Sequence, residues 1–384
     1  MKKIIGFVVM MGLFSTQLFA GEQYSLEQAK KEVANNNIKV SIAYEQYVQV
    51  KTQAQAKSLG LLPSISIDML LFDYQYTILR SIVPEPSRFF EASAAKDLAK
   101  AADVNKSIVK KNLLEDLENT FFLYQYHDEM VQSFNKETAI VNEIAARSQE
   151  AYDLGAIDFS QYYAAQRAVV TAKTQAVNGS ELLQTEEFAL KLILQVKDNT
   201  DTLALDNLAF YNEGLDYPAT ASEAAVIAVN NSLEVAQFDH LVDAAQKQKR
   251  GVAVSWISWS GVGFDYFARV SIAKDEVVKI QLNKKKSIIE VQNQVVAQYA
   301  LIESQKKKMA FQDQLLTMAQ AEYASATAQE GSLLNSFINT KKAELNLMYA
   351  ERESSKEKYE LEMRYIKLKR LLGTNMMTNV VPRS

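Results

Sequence analysis

The side chains that most often carry out chemistry in proteins are few and scattered in this sequence. Cysteine is absent, which removes thiol nucleophiles, thiolate metal sites and disulfides. The two histidines, His127 and His240, lie far apart and show no metal-ligand spacing. The chain has neither a glycine-rich phosphate loop nor a Gly-x-Ser-x-Gly turn, and spacing singles out no pair of its many carboxylates. We therefore predict that the protein is not an enzyme and has no cofactor and no metal site.

The charged residues also fail to mark a nucleic-acid site. The chain has 42 basic and 46 acidic residues. Two lysine triplets, at 284–286 and 306–308, fall on a predicted helix and are expected to form a solvated face. A nucleic-acid-binding surface needs a larger cluster of basic residues, so we predict no nucleic-acid partner.

Residues 1–20 have the pattern of a secretory signal peptide. Lys2 and Lys3 precede an apolar run from Ile4 to Phe14, and Ala20 is a small residue at which a signal peptidase could cut. The apolar run is too short for a membrane-spanning helix. An uncleaved N-terminal anchor is the alternative. Either way, we expect the protein to be exported.

Proline and glycine divide the remaining chain into two similar halves. No proline lies in 87–217 or in 219–381, which permits long helices. The segment that starts at Ser25 and leads to an asparagine-rich step recurs about 195 residues later, starting at Thr220. We predict in each half a helix, a β segment, a long helix, a tip and a further helix. The predicted parts are repeat 1 over 21–200, a connector over 201–218, repeat 2 over 219–373 and a tail over 374–384.

Apolar residues in the long tracts recur at spacings of three and four, the pattern of a coiled-coil seam. One series runs from Val104 to Tyr152 and the other from Val277 to Tyr323. A single helix over 88–150 would be roughly 94 Å long at 1.5 Å per residue. Because such a helix must lie along partners for its whole length, we predict a wall of antiparallel helices with water on both faces.

Each repeat also contains a segment that favours β structure, at 61–83 and at 252–272. Either could form a hairpin of strands about nine to eleven residues long, the length that a tilted membrane strand needs. Four strands cannot close a barrel, whereas three chains would supply twelve. A small soluble β layer on the helix ends is the alternative. The aromatic residues that we predict at a membrane interface are Tyr74, Tyr76, Trp256, Trp259 and Tyr266.

Taken together, these features resemble the TolC-like outer-membrane factor family. The resemblance rests on the duplicated plan, the Ser-Leu-x-x-Ala opening at Ser25, the Leu-Pro-Ser exit at 62–64, the segment 152–166 and the Leu-Leu-Gly ending at 371–373. It covers nearly the whole mature chain. It implies a mainly α homotrimer in which long antiparallel helices form a tunnel. Two short β-hairpins per chain would contribute to a twelve-stranded barrel in the lipid of the outer membrane.

The resemblance also implies the position of the partners. The periplasmic tip of such a tunnel docks on an adaptor protein, which links it to an inner-membrane pump. The second tip departs from the family pattern, because Ala326 stands where the turn glycine is expected and Gly331 follows five residues later. By analogy, the adaptor-contacting residues are Leu154, Gly155, Asp158, Ser160, Ala326 and Gly331, and the residues that pack the tips are Tyr152 and Tyr323.

We therefore predict a passive exit duct for efflux or type I secretion, located in the outer membrane with a periplasmic extension and gated at its tip. The alternative is a structural scaffold with a degenerate barrel, either periplasmic or associated with the outer membrane. The β segments discriminate between the two, because only the duct needs them to cross the membrane.

Overall fold

The chain is mainly helical, as predicted. A computed structural model describes residues 25–62, 85–196, 205, 217–257, 263–329 and 334–373. The predicted signal peptide, residues 63–83 of the first β segment, the C-terminal tail and four site residues (Tyr74, Tyr76, Trp259 and Gly331) lie outside these ranges. The helices within them are α1 (Leu26–Asn36), α2 (Ile38–Leu59), α3 (Pro86–Asp153), α4 (Phe159–Leu194), α5 (Ala221–Asn231), α6 (Leu233–Val254), α7 (Tyr266–Ala328) and α8 (Leu334–Leu372).

Sequence signals at the helix ends explain where several helices begin. The Ser25 side chain accepts from the backbone N–H of Gln28, whose own side chain accepts from the Ser25 N–H, a capping box that starts α1. Thr220 caps α5 in the same position. Pro86 opens α3, where its missing N–H costs nothing. With 68 and 63 residues, α3 and α7 are roughly 102 and 95 Å long. None of the described helices combines the length and apolar character needed to cross a membrane.

The two long helices organise the body. The N-terminal half of α3 packs against α2 and α6, where Lys57 pairs with Glu91 and Lys247 pairs with Asp97. Its C-terminal half packs against α4 and α8. Helix α7 packs against α6 with its first half and α8 with its second, and α5 lies against its middle. Among the described residues, the helices therefore form a row with α2 and α4 at one edge and α7 at the other.

The helices form two matching sets. Helices α1 and α5 each have 11 residues, α2 and α6 each have 22, and the members of both pairs start 195 residues apart. At the break within each set, an asparagine amide donates to the end of a distant helix. Asn37 donates to the Ile193 carbonyl at 2.7 Å, and Asn231 donates to the Leu372 carbonyl at 2.9 Å. An equivalent asparagine hydrogen bond therefore connects the short helices of each set to a long helix of the body.

Two apolar clusters hold the middle of the body together. The first joins α1, α3, α4 and α8, and the second joins α5, α7 and α8. Burying a leucine, isoleucine, valine or phenylalanine side chain contributes about 1.5–3 kcal/mol to the free energy of unfolding. Each cluster is therefore a main source of stability. The first cluster includes Leu26, Val33, Leu117, Phe121 and Leu190, and the second includes Ala224, Ala228, Val295, Ile302 and Leu368.

The predicted β segment at 252–272 is wrong at both ends. Helix α6 continues to Val254 and α7 begins at Tyr266, while residues 258–262 lie outside the described ranges. A helix pairs its backbone N–H and C=O groups within one segment, whereas a strand needs a neighbour to do so. The Tyr266 hydroxyl also donates to the Ala253 carbonyl at 2.7 Å, which brings the ends of α6 and α7 into contact.

Candidate functional site

The turn between α3 and α4, which we name the first tip, is built around Gly155. This glycine has a φ of 70°, in the left-handed region, and an added Cβ would have no neighbour within 4 Å. The N–H of Ala156 donates to the Ala151 carbonyl at 2.7 Å, and the N–H of Gly155 donates to the Tyr152 carbonyl at 2.9 Å. This bonding pattern is a Schellman motif, which closes the C-terminus of α3. Glycine is therefore needed for the backbone angle and not for space.

Asp158 starts the next helix. Its carboxylate accepts from the N–H of Gln161 at 2.8 Å, and the Gln161 side chain accepts from the N–H of Asp158 at 3.4 Å. This capping box fixes the first turn of α4 and leaves Ser160 exposed. The Asp158 carboxylate therefore has a structural role in α4. The predicted contacts of Asp158 and Ser160 with an adaptor stay predictions.

Aromatic and apolar side chains cover the first tip. The ring of Tyr152 stacks on Tyr162 with centroids 5.1 Å apart, and Phe159 stacks on Tyr163 with centroids 5.9 Å apart. Leu154, Phe159 and Tyr163 are 84%, 60% and 59% exposed. The sequence analysis did not single out the three aromatic residues that follow Asp158, which are Phe159, Tyr162 and Tyr163. We name the exposed set formed by Tyr152, Leu154, Phe159 and Tyr163 the tip patch.

The second tip, between α7 and α8, is built differently from the prediction. Ala326 lies inside α7, which continues to Ala328, so it does not occupy a turn. The run of alanine, serine and threonine contains no glycine before 331 and favours continued helix. The hydroxyl of Thr340 donates to the Ala326 carbonyl at 3.3 Å, and the Ser336 hydroxyl donates to the Gln329 carbonyl at 2.9 Å. The predicted tip residue Tyr323 is partly buried within α7.

A polar network joins α3 to α8 above the tips. Buried Glu137 accepts from the guanidinium of Arg352 at 2.6 Å and from the hydroxyl of Tyr349 at 2.8 Å. Arg352 also donates to the Ser133 hydroxyl at 3.2 Å and lies over the ring of Phe134 at 4.1 Å. Burial and the bond to Glu137 raise the pKa of Tyr349 to about 12, so its hydroxyl stays a donor at neutral pH. These partners are more than 200 residues apart, and no local sequence pattern predicts such contacts.

Gly179 makes room for this network. Its helix, α4, is continuous through the glycine. A Cβ at this position would lie 2.9 Å from Cδ2 of Phe134, which is closer than packing allows. The glycine therefore lets α4 approach the ring on which Arg352 rests.

Near the middle of the body, charged side chains are buried between the helices. Lys30 and Glu118 pair at 2.5 Å and are 1% and 0% exposed. Lys369 lies close to both, and its pKa is lowered, mainly because of its burial. Buried charges of this kind are strongly destabilising when one partner is removed.

His127 and the described membrane-interface residues lie outside the two tips. His127 on α3 is buried, and its Nδ1 lies 3.9 Å from Glu186, too far for a hydrogen bond. Within the described ranges, no group of three or more His, Cys, Asp or Glu side chains could hold a metal ion. Trp256 follows α6 and is 58% exposed, while Tyr266 is the first residue of α7.

Comparison with solved structures identifies the fold. A crystal structure of CusC, from work on conformational changes that accompany folding and transmembrane channel formation, matches with a TM-score of 0.74 at 14% identity. The match covers 94% of this chain and 96% of the CusC chain. A membrane protein from Pseudomonas aeruginosa matches over 91% of this chain and 90% of its own, with a TM-score of 0.72 at 13% identity. The open state of the Neisseria gonorrhoeae MtrE outer membrane channel covers 91% of this chain and 88% of its own, with a TM-score of 0.69 at 12% identity.

This chain has the TolC-like outer-membrane factor fold. The match spans nearly the whole length of this chain and of each solved structure. No family model and no curated protein sequence matches the chain significantly. The TolC-like fold is therefore recognised through the arrangement of its helices, at identities too low to transfer a residue's role.

Proposed function

We propose that the protein is the outer-membrane duct of a tripartite efflux or type I secretion system, and that three copies form its tunnel. The observation that carries this proposal is a pair of uncovered apolar edges on opposite sides of the helix row. An elongated row with two such edges has a built-in means of associating with copies of itself.

The first edge lies on α7. Apolar side chains there recur every seven residues, and Leu282, Ile289 and Val296 are 60%, 46% and 50% exposed. Phe311 and Met318, which are also seven residues apart, are 64% and 66% exposed farther along α7. A seven-residue repeat is the pattern by which one helix packs along another. Within the described ranges, no helix of the same chain covers this face.

The second edge lies on α4 and α2. Val170 and Val177 lie seven residues apart on α4 and are 64% and 59% exposed. Ile38 and Ile42 on α2 are 60% and 53% exposed. Because the two edges differ, contact between them is heterologous, and such contacts close into rings when the rotation allows. The number three comes from the resemblance to the TolC-like family.

We propose that the tip patch docks a periplasmic adaptor. Leu154 and Gly155 sit at the apex of the turn, with Asp158 and Ser160 just behind it. Exposed aromatic residues of this kind are enriched where proteins bind each other. The stacking of Tyr152 on Tyr162 holds the patch in one arrangement.

Gating at the tip is part of the same proposal. The α7–α8 pair meets α3 near the tips through Lys341, which pairs with Glu143 at 2.8 Å, and through Arg147, which lies over the ring of Phe337. These contacts are partly exposed and few, so they can be exchanged for contacts with a partner. Opening requires that the adaptor bind the open arrangement more tightly than the closed one.

Fractionation tests the proposed location and assembly. Cells expressing the full chain are separated into periplasm, inner membrane and outer membrane, and the outer-membrane fraction is run unheated in detergent. We expect recovery in the outer membrane as a detergent-resistant trimer. Recovery as a soluble periplasmic monomer would refute the proposal. As a control for the tip, the variant Leu154→Ser should retain the trimer, because Leu154 lies away from both edges.

The second candidate, a scaffold rather than a duct, is favoured by one observation. Only residues 255–265 connect α6 to α7, which is short for a hairpin that must cross a membrane twice. Conductance in planar bilayers separates the two functions. A trimer that conducts after its tips are opened by Arg147→Ala and Lys341→Ala is a duct, and a trimer that stays silent is a scaffold.

A further inference from the structure

The two ends of the connection between α6 and α7 lie close together. Helix α6 ends at Val254 and α7 begins at Tyr266, which leaves eleven residues between them. The hydroxyl of Tyr266 reaches the Ala253 carbonyl at 2.7 Å, so the connection leaves and returns at nearly the same point. Its maximum reach is therefore about half its contour length.

That reach is too short to cross a bilayer. At about 3.4 Å per residue, eleven residues that go out and return extend roughly 19 Å. The apolar band of a membrane barrel is about 25 Å tall, and each spanning strand takes about nine to eleven residues. The first repeat differs, because residues 60–85 between α2 and α3 number twenty-six. The second repeat can therefore touch a membrane from one side but cannot span it.

Four described residues in and next to this connection are apolar and exposed. Phe264 and Phe267 are 112% and 82% exposed, and Trp256 and Ile257 are 58% and 48% exposed. We name these four residues the α6–α7 apex. Large aromatic side chains held in water at the end of a helix pair are unfavourable unless another surface covers them. Tryptophan and phenylalanine are also the residues that insert into the interfacial layer of a bilayer.

The charges around the apex favour a lipid surface as its partner. Helix α6 ends against the start of α3, where an added Cβ on Gly251 would lie 3.2 Å from Phe90, so the neighbouring helix ends form one surface. Basic residues outnumber acidic ones on it by five to three, and two of the acids are paired within the set, Asp265 with Arg269 and Glu91 with Lys57. The basic residues are Lys57, Arg88, Lys249, Arg250 and Arg269, and the acidic residues are Glu85, Glu91 and Asp265. Basic residues beside an apolar face attract anionic headgroups.

The position of the apex supports the same partner. Residues 62 and 85, where the chain leaves and re-enters the described structure in the first repeat, lie at this same end of the body, next to Lys57 and Glu91. The twenty-six residues there are the part of the chain with enough length to cross a membrane.

We propose that the α6–α7 apex is an interfacial anchor that inserts into one leaflet of a bilayer without crossing it. Its ligand is an anionic lipid surface, and the inference rests on the proposed outer-membrane location. The apex lies at the headgroup level, its aromatic side chains enter the outer part of the acyl layer, and the surrounding lysines and arginines contact phosphate groups. The two repeats thus meet the membrane in different ways.

Depth-dependent quenching of tryptophan fluorescence tests the anchor. The chain has two tryptophans, so the Trp259→Phe variant reports from Trp256 alone, and a second variant carries Phe264→Trp in a Trp256→Phe, Trp259→Phe background. Each mature protein is reconstituted in vesicles of phosphatidylethanolamine and phosphatidylglycerol whose acyl chains are brominated near the headgroup or near the bilayer centre. We expect strong quenching by the shallow bromines and weak quenching by the deep ones.

Other results would overturn the proposal. Strongest quenching by the deep bromines would mean that the apex spans the membrane. The absence of quenching by either lipid would mean that residues 63–84 or a second copy cover the apex instead. Fractionation of the same variants keeps the two proposals separate. Protein that is absent from the outer membrane refutes the proposed function, whereas unquenched protein within it refutes only the anchor.

A vesicle-binding assay provides a matched control. The double variant Phe264→Ser, Phe267→Ser should bind vesicles of the same composition roughly tenfold or more weakly, because two aromatic side chains lose their burial in lipid. The double variant Leu154→Ser, Phe159→Ser removes similar apolar surface at the opposite end and should bind as the parent does. Equal loss in both variants would contradict the anchor.

Discussion

Helix α1 of the first repeat buries a charged side chain, Lys30, at the position where α5 of the second repeat has Ala225. Both residues are the fifth of an 11-residue helix, and the helices start 195 residues apart. Lys30 pairs with Glu118 in the interior, whereas Ala225 packs in an apolar cluster. The backbone of the two repeats is thus the same at this place, while the chemistry that fills the space around it is different.

The difference shows which features the duplicated plan requires. Helix caps, the break after α1 and α5, and the asparagine that bridges to a distant carbonyl occur in both repeats. Side chains that face the interior have changed, because many combinations of similar volume can fill the same space. The ends of the repeats have changed most, in the two tips and in the connection between α6 and α7.

The buried charge of the first repeat gives the largest predicted effect. Glu118→Ala removes the fully buried carboxylate that pairs with Lys30, whose other partner Glu27 is more exposed and lies at 3.4 Å, and Lys369 also loses a nearby carboxylate. We expect a loss of about 3–5 kcal/mol in the free energy of unfolding. The midpoint of thermal unfolding of the mature chain in detergent, followed by circular dichroism at 222 nm, measures the loss.

A double variant sharpens this comparison. Replacing both partners, as Lys30→Met and Glu118→Leu, makes the first repeat resemble the apolar second one and should change stability by less than about 1.5 kcal/mol. If Glu118→Ala is as mild as the double variant, the charged interior of the first repeat is not a distinct feature.

The two glycines with positive φ should respond differently to alanine. Gly155 at the first tip and Gly373 after α8 have φ values of 70° and 72°, so each Gly→Ala change costs about 1–2 kcal/mol of backbone strain. The added Cβ meets nothing at Gly155 but lies 2.7 Å from the Cβ of Asn231 at Gly373. We expect Gly373→Ala to cost about 1–3 kcal/mol more than Gly155→Ala in the same unfolding measurement. Equal losses of unfolding free energy in the two variants would show that Asn231 can move away from the added Cβ at little cost.

The two bridging asparagines offer a smaller contrast. Asn37 both donates to the Ile193 carbonyl and caps α2 by accepting from the N–H of Lys39 at 2.8 Å. Asn231 only donates, because Ser232 caps α6. We expect Asn37→Ala to cost roughly 2 kcal/mol and Asn231→Ala roughly 1 kcal/mol or less. Asn37→Ser, which can still cap, should fall between them, and a larger loss at Asn231 would contradict this division of roles.

The smallest effect depends on pH and is confined to the first repeat. Burial lowers the pKa of His127, so the unfolded chain binds this proton more readily and stability falls as the pH drops through about 6.5. Burial raises the pKa of its neighbour Glu186, which acts in the opposite direction. We therefore compare the parent with His127→Asn between pH 7.5 and 5.5. The variant should lose less stability on acidification. If stability falls equally with pH in the parent and the variant, His127 does not contribute to the pH dependence.

The sequence predicted the parts of this fold that depend on local signals. Long proline-free tracts and the glycine at 155 predicted the helices and the first tip, because both follow from backbone preferences. The partners of Glu137 and Lys30 were missed, because pairs separated by scores or hundreds of residues leave no local pattern. The segment 252–272 was misassigned, since serines alternating with Trp256 and Ile257 imitate a strand while the helices on both sides continue into it.

Cross-linking between the two edges tests the proposed ring most directly. Val177 on α4 and Phe311 on α7 lie roughly 27 and 26 Å from their tips at 1.5 Å per residue, so neighbouring copies would bring them to one level. The chain has no cysteine, so the variant Val177→Cys, Phe311→Cys treated in outer membranes with a short bifunctional maleimide reports only this pair. Moving the second cysteine to Val278, roughly 75 Å from the tip, provides the control. We predict covalent dimers and trimers, nothing larger, and no product in the control; monomers alone, or a ladder that continues past three, would contradict the trimeric duct.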